Sequence, residues 1–186
     1  FNAFGYPLPI FVHLPMILGS DGSRLSKRHG AMDILEYKNQ GFLPEAMLNY
    51  LVRLGWSSGD QEIFSIGELM ENFDLSNLNK SSARFDFEKL QWVNRKHISE
   101  LGSLKLSEIL VEYAAEDNIE LPSMDKLQLF SDAYKTRADD LNILLERAQL
   151  FFSDDLIMDE SAATKYLQST VLEPLKDLVR TLEETN

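Results

Sequence analysis

Arg24, Lys27 and Arg28 place three cations within five residues, in a stretch punctuated by Gly19, Gly22 and Gly30. Cations on such a pliable backbone suit a polyphosphate. The charges neutralise its oxygens, and the loop can close once the ligand is in place. Taken alone, Arg24-Leu25-Ser26-Lys27-Arg28 is more often a solvated basic turn, because short motif matches are frequently accidental. A second basic cluster lies at residues 84–97, with Arg84, Lys89, Arg95 and Lys96. These side chains carry donors of the kind that bind nucleic-acid phosphates. His13, His29 and His97 are too far apart for a metal-ligand spacing, and there is no cysteine. No zinc site and no disulfide is expected.

The placement of charge says more than its total. The 186 residues carry a formal net charge of −12, of which −1 falls on residues 1–98 and −11 on residues 99–186. An acidic protein is a poor general binder of nucleic acid, but a local basic cluster can still serve one. With 44% hydrophobic and 26% charged residues the chain has the balance of a soluble globular protein. No apolar run approaches the roughly 20 residues that span a bilayer, so no membrane partner is expected. The start, Phe1-Asn2-Ala3-Phe4-Gly5, has neither the basic segment nor the apolar core of a signal peptide. It also has no initiator Met, which leads us to expect a piece of a longer protein. The lack of cysteine makes a cytoplasmic home the natural expectation.

The elements that must position these groups can be read from periodicity. Residues 8–18, Leu-Pro-Ile-Phe-Val-His-Leu-Pro-Met-Ile-Leu, are apolar and interrupted by prolines, which predicts a buried extended segment. Gly19 to Ser23 predicts a turn before the basic loop. The pattern then becomes helical. Pro44 opens a helix carrying Met47, Leu48, Leu51 and Leu54, and Ser65-Ile66-Gly67-Glu68 is a capping box ahead of Leu69 and Met70. Asp86 is a cap for a helix bearing Leu90, Trp92 and Val93. Further helices are predicted around Ser107 to Ala114, over Met124 to Tyr134, and over Thr136 to Phe152 with a start at Thr136-x-x-Asp139. A weaker pattern covers 161–184, where Pro174 is expected to kink or divide the helix. Loops fall around 118–123 and 153–160. The charge change near residue 99, close to Gly102-Ser103, marks the candidate boundary.

Leu25-Ser26-Lys27 with Arg24 before it resembles the K-M-S-K-S signature of class I aminoacyl-tRNA synthetases. The wider phrase, His13-Leu14-Pro15 and then Asp21-Gly22-Ser23-Arg24-Leu25-Ser26-Lys27-Arg28-His29-Gly30-Ala31, is similar to the glutamyl and glutaminyl branch. Gly41-Phe42-Leu43-Pro44-Glu45-Ala46, Leu54-Gly55-Trp56-Ser57, Phe73-Asp74-Leu75 and Phe85-Asp86-Phe87-x-Lys89-Leu90-x-Trp92-x-Asn94 resemble bacterial-type glutamyl-tRNA synthetases. The resemblance is dense from residue 11 to about 98. It implies a mainly α chain: the end of a Rossmann-type catalytic domain with the signature loop (1–37), a helical stem-contact region (38–98), and the first part of a helical anticodon-binding bundle (99–186).

The resemblance also implies chemistry. Such enzymes join glutamate to ATP, presented with Mg, and pass the glutamyl group to the 3′ end of tRNA(Glu). Lys27 matches the second signature lysine, which meets the ATP phosphates as pyrophosphate leaves. Arg24, Leu25, Ser26 and Arg28 complete the ATP-binding loop, with Arg24 standing where the first signature lysine would be. Lys80, Arg84, Lys89, Asn94, Arg95 and Lys96 are the implied tRNA contacts. Trp56 and Trp92 are expected in the core, His13 as a packed histidine, and His97 on a solvent-facing helix surface. ATP and glutamate would be gripped mainly by a domain with a His-x-Gly-His phrase, which this sequence does not contain. The chain alone is therefore expected to be inactive, and to be a monomer. The rival readings are a glutaminyl enzyme, whose anticodon-binding part is β-barrel, a tRNA-modifying glutamyl-queuosine relative without such an extension, and a non-catalytic acidic helical interaction module.

Overall fold

A computed structural model describes residues 1–26, 33–153 and 160–185. Lys27, Arg28 and His29 lie outside the described residues, as do Gly30 and Ala31. The described fold is helical, with isolated β-bridges and no sheet among the described residues. Residues 1–149 form one compact unit and residues 150–186 a second.

In the first unit, α1 (Ile34–Asn39) is closed by a capping box between Asp33 and Glu36. The tight turn after it leads into α2 (Pro44–Gly55), which starts at the proline, where a missing N–H costs nothing. The capping box read from Ser65 and Glu68 is present and opens α3 (Ile66–Asn72). Asp86 caps α4 (Phe87–Glu100) by accepting from the Lys89 amide. Then follow α5 (Ser103–Glu116), α6 (Met124–Tyr134) and α7 (Leu141–Phe152).

Two helix starts differ from expectation. α5 begins at Ser103, four residues before Ser107. Ser107 is buried instead, donating from Oγ to Ser103 O at 2.8 Å and lying 3.0 Å from Ser131 Oγ of α6. Thr136 falls in a 3-10 turn, Lys135–Arg137, and the start of α7 is held by Asp140 Oδ1 accepting from Ile143 N. At α5 the contact with α6 draws Ser107 into the body of the helix, whereas α7 takes its cap from Asp140, one residue past the Thr136-x-x-Asp139 phrase.

The N-terminal segment is extended but not buried. Ile10 and Phe11 are 81% and 78% exposed, at the edge of an open hollow shared with Leu75 and Leu78. Its regular pairing is confined to Leu18, which bridges Arg24 on one side and Arg84 on the other. His13 is likewise exposed rather than packed.

The core is built from aromatic and aliphatic layers. Tyr37, Phe42, Leu43, Met47 and Tyr50 bury against Leu90 and Val93 of α4. Their rings meet edge to face, with Tyr37–Phe42 at 5.8 Å and Tyr50–Phe85 at 5.4 Å. Trp56, Phe64 and Leu69 form a smaller cluster with Val52 and Leu78 against it, so Trp56 is a core residue as expected. Trp92 is only half-buried and lies under the Lys89 ammonium, 4.0 Å from the ring centroid. Leu106, Leu110 and Ala114 of α5 are buried where it packs on Leu127 and Phe130 of α6, and Leu144 and Ala148 of α7 are buried as well.

Hydrogen bonds cross the charge change at residue 99. Asn94, fully buried on α4, accepts from Leu43 N at 2.9 Å and donates to Asp139 O at 2.7 Å and Gly41 O at 3.4 Å. Gly41 has φ 80 and in turn accepts from Leu141 N at 3.0 Å. A Cβ at Gly41 would sit 2.7 Å from that nitrogen, so the turn admits no larger residue. Asn142 and Tyr113 both donate to Asn39 O beside it.

In the second unit, α8 (Glu160–Tyr166) precedes α9 (Ser169–Thr185). Pro174 lies inside α9, and the expected division falls earlier, between the two helices. A proline near the first turns removes one donor while keeping a helical φ, so α9 continues through it. Leu172, Leu175, Leu178 and Val179 of α9 are exposed.

Replacing Asn94 by Ala leaves buried backbone groups at Leu43 and Asp139 without partners. Each such group costs about 1–3 kcal/mol, so the variant should lose roughly 2–4 kcal/mol of stability. The check is a lower urea midpoint at an unchanged slope.

Candidate functional site

The basic loop is anchored through Leu18. Its amide donates to Ala83 O at 2.9 Å and its carbonyl accepts from Phe85 N at 2.8 Å, which sets Arg84 alongside. On the other edge Gly19 N donates to Ser23 O at 2.8 Å and Leu25 N to Ile17 O at 3.0 Å, which sets Arg24 alongside. Leu18 thus stands between the two arginines, whose backbones are about 10 Å apart by the usual spacing of paired strands. The turn at the tip is closed by Gly22 N donating to Gly19 O at 3.0 Å, with Gly22 at φ 80. Asp21 Oδ1 accepts from the Ser23 amide and hydroxyl, both at 2.9 Å. A Cβ on Gly22 would lie 3.5 Å from Arg84 Nη2, so the Arg84 side chain passes against this turn. Arg24 and Arg84 are exposed, whereas Leu25 and Ser26 are half-buried.

Arg84 and Lys89 line one notch with Tyr50, Arg53, Glu62 and Asp86, about 290 Å³ in volume. Lys89 Nζ lies 3.3 Å from Glu62 Oε2, and Arg53 Nη2 lies 3.4 Å from Glu62 Oε1. Lys89 and Lys96 are seven residues apart on α4, two turns along one face. Lys80 stands apart from the notch, in a hollow with Phe11, His13 and Leu75. Two expected contacts are otherwise occupied. Asn94 is fully buried with its amide consumed by backbone partners, so it braces the fold and faces no ligand. Arg95 donates to Asp139 Oδ1 from both Nε and Nη2.

Behind the notch, Tyr50 donates its hydroxyl proton to Asp86 O at 2.8 Å and accepts from Asp86 N at 2.7 Å. Burial pushes its phenol up to about 12, so it remains a neutral donor. Asn49 is fully buried on α2. Its Oδ1 accepts from Phe64 N at 2.9 Å and its Nδ2 donates to Glu62 O at 3.0 Å, which fixes the loop carrying Glu62. His97 Nε2 lies 2.9 Å from the same Asn49 Oδ1 and must donate to it. His97 is therefore half-buried and structural, contrary to a solvent-facing position.

Sequence reasoning missed Asn49, Arg53 and Glu62. A signal existed for the first. Asn49 shares the stripe of Ala46 and Tyr50 at helical spacing, and a polar residue on a core face points to a hydrogen-bonding duty.

Burial lowers the His97 pKa, outweighing Glu100 and Glu45, which favour the cation. The sign follows: the unfolded chain takes up the proton first, so this residue removes stability as pH falls through about 6.5, the ordinary histidine value. A His97→Gln variant should show a flatter stability profile between pH 7 and 5, checked by urea unfolding across that range.

Comparison with known proteins adds four findings. The family model for class I tRNA synthetases (E and Q), catalytic domain, matches residues 1–92. A glutamate–tRNA ligase of Syntrophotalea carbinolica is 47% identical over 167 residues, covering 90% of this chain and 36% of that protein. One of Francisella philomiragia is 42% identical over 183 residues, covering 98% of this chain and 39% of that protein. Among solved structures, a glutamate tRNA ligase from Elizabethkingia meningosepticum in complex with its amino acid gives a TM-score of 0.77 at 28% identity, covering 98% of this chain and 40% of that one. The chain thus spans a little under two fifths of the length of the curated relatives it matches.

Proposed function

Because the chain belongs to the glutamate and glutamine branch of the class I tRNA synthetases, we propose that it serves as the ATP-loop and tRNA-contacting part of a glutamate–tRNA ligase. The observation that carries this reading is the similarity to glutamate–tRNA ligases across nearly the whole chain, including the loop and its anchor at Leu18.

In the whole enzyme, a glutamate carboxylate oxygen attacks the α-phosphorus of ATP and pyrophosphate departs. Negative charge grows on the departing oxygens, and a cation placed there beforehand stabilises it. Lys27 is that cation in this proposal. Arg24 and Arg28 neutralise the remaining phosphate charge beside the Mg that ATP brings. Leu25 and Ser26 hold the loop backbone. The anchored base and glycine-bearing tip favour this role, since closure needs a fixed hinge beside a pliable segment.

Residues 38–98 are proposed to brace the acceptor arm of tRNA(Glu), with Arg84, Lys89, Lys80 and Lys96 as the available phosphate contacts. Arg95 joins them only if it leaves Asp139. Residues 99–186, with a net charge of −11, are proposed as helical support at the start of the anticodon-binding region. The helices from Ser103 to Thr185 disfavour the glutaminyl enzyme, whose corresponding part is β-barrel. Glutamate and the adenine end of ATP would be held by residues outside this chain. The compartment proposed is the cytoplasm. Among the described residues no helix is long and apolar enough to cross a membrane.

In the complete enzyme, Lys27→Ala should slow glutamate activation by about 10²–10³-fold, the usual loss on removing one charge-stabilising donor. Its tRNA affinity should change little. ATP–pyrophosphate exchange and tRNA binding measured on the same variant decide this, and equal losses in both would refute the phosphate role. The isolated chain should show no ATP–pyrophosphate exchange; measurable exchange would mean that it holds a whole active site.

A further inference from the structure

The notch between α2 and α4 contains more cation than the known motifs account for. Arg53, Arg84 and Lys89 face two carboxylates, Glu62 and Asp86. Asp86 is committed, its Oδ1 accepting from the Lys89 amide at the start of α4. Glu62 is placed differently. One of its oxygens lies 3.4 Å from Arg53 and the other 3.3 Å from Lys89. Both distances exceed the roughly 2.7–2.9 Å of a well-made charge-assisted hydrogen bond. The carboxylate therefore sits between two cations without bonding closely to either.

Two further features show donor capacity left over. Arg53 Nε is buried with no hydrogen-bond partner, although its guanidinium also reaches Trp56 O at 3.3 Å. Arg84 makes no ion pair among the described residues, and its side chain passes between the loop turn and the notch. The Glu62 backbone is held independently, since its carbonyl accepts from Asn49 Nδ2 at 3.0 Å. Its side chain can therefore swing out without dislodging the loop.

We infer that this notch is a phosphate seat in which the Glu62 carboxylate is an exchangeable placeholder, and that a backbone phosphate of bound RNA displaces it to meet Arg53, Arg84 and Lys89. This rests on the tRNA-contacting role proposed above, and it adds a residue, Arg53, and an internal competitor, Glu62, to that role. A carboxylate and a phosphate oxygen make the same demands on a guanidinium fork and an ammonium, so one can stand in for the other. With the placeholder in position the cations are not left unneutralised in the half-buried notch. Glu62 would then set a threshold that only a correctly placed phosphate overcomes.

The test uses the full chain, with Glu62→Gln as the primary variant because glutamine keeps the shape and removes the charge. Affinity for tRNA should rise roughly tenfold at low salt, and the slope of log affinity against log salt should steepen by about 0.7–0.9. Adding Arg84→Gln should remove that gain. Arg84 is exposed and unpaired, so this second change leaves folding intact. Inorganic phosphate forms a separate arm, followed through the NMR signal of the Arg53 Nε–H. It should move that signal at lower concentration in Glu62→Gln than in the parent chain.

Unchanged or weaker tRNA binding by Glu62→Gln, with normal binding by the parent and no movement of the Arg53 signal, overturns the seat and leaves the tRNA-contacting role standing. A gain that survives Arg84→Gln also overturns it. If neither chain binds tRNA but phosphate moves the Arg53 signal more readily in Glu62→Gln, the anion seat stands, its ligand is a free phosphate, and the tRNA reading fails.

Discussion

Asn94 bears no charge and meets no solvent, yet its amide joins segments that are far apart in sequence. It binds Leu43 and Gly41 on one side and Asp139 on the other. Without it the turn before α2, the middle of α4 and the approach to α7 would bring buried backbone groups together with nothing to satisfy them. Gly41 belongs to the same constraint, since its left-handed φ and its close approach to Leu141 exclude any side chain. The path of α2 relative to α4 follows from this junction, and the notch that holds Arg53, Glu62 and Lys89 is the space those two helices leave.

Asn49 repeats the device on a smaller scale. Its amide fixes Glu62 and Phe64 of the loop after α2, and His97 completes the set from α4. Two buried asparagines and a desolvated histidine thus set the geometry of a surface that carries Arg53, Arg84 and Lys89. Buried amides suit this task because they donate and accept at once and carry no desolvated charge. The exposed ion pairs, such as Lys38 with Glu116, contribute little by comparison.

The loop base shows a different balance. Leu18 receives a partner on each edge, and only there does the N-terminal segment pair regularly. The apolar side chains before it, among them Ile10 and Phe11, remain exposed. A strand-like composition produces a strand only when a neighbour supplies the second half of each hydrogen bond. The described residues supply that neighbour to Leu18 alone.

Local rules were enough for much of this. The start of α2 at Pro44, the capping box at Ser65 and Glu68, and the Asp86 cap are legible because cap and first turn lie within four residues of each other. The place of Ser107 within α5, the burial of Asn94 and His97, and the pairing of Arg95 with Asp139 were not. Those depend on partners 24 to 53 residues away, as with Ser107 and Ser131 or Asn94 and Gly41. From the sequence alone, Asn94 and Lys89 were equally polar candidates for a phosphate. Tertiary structure separated them by turning one toward Gly41 and Asp139 and leaving the other beside Glu62, because only the packed chain determines which amide has its hydrogen bonds already filled.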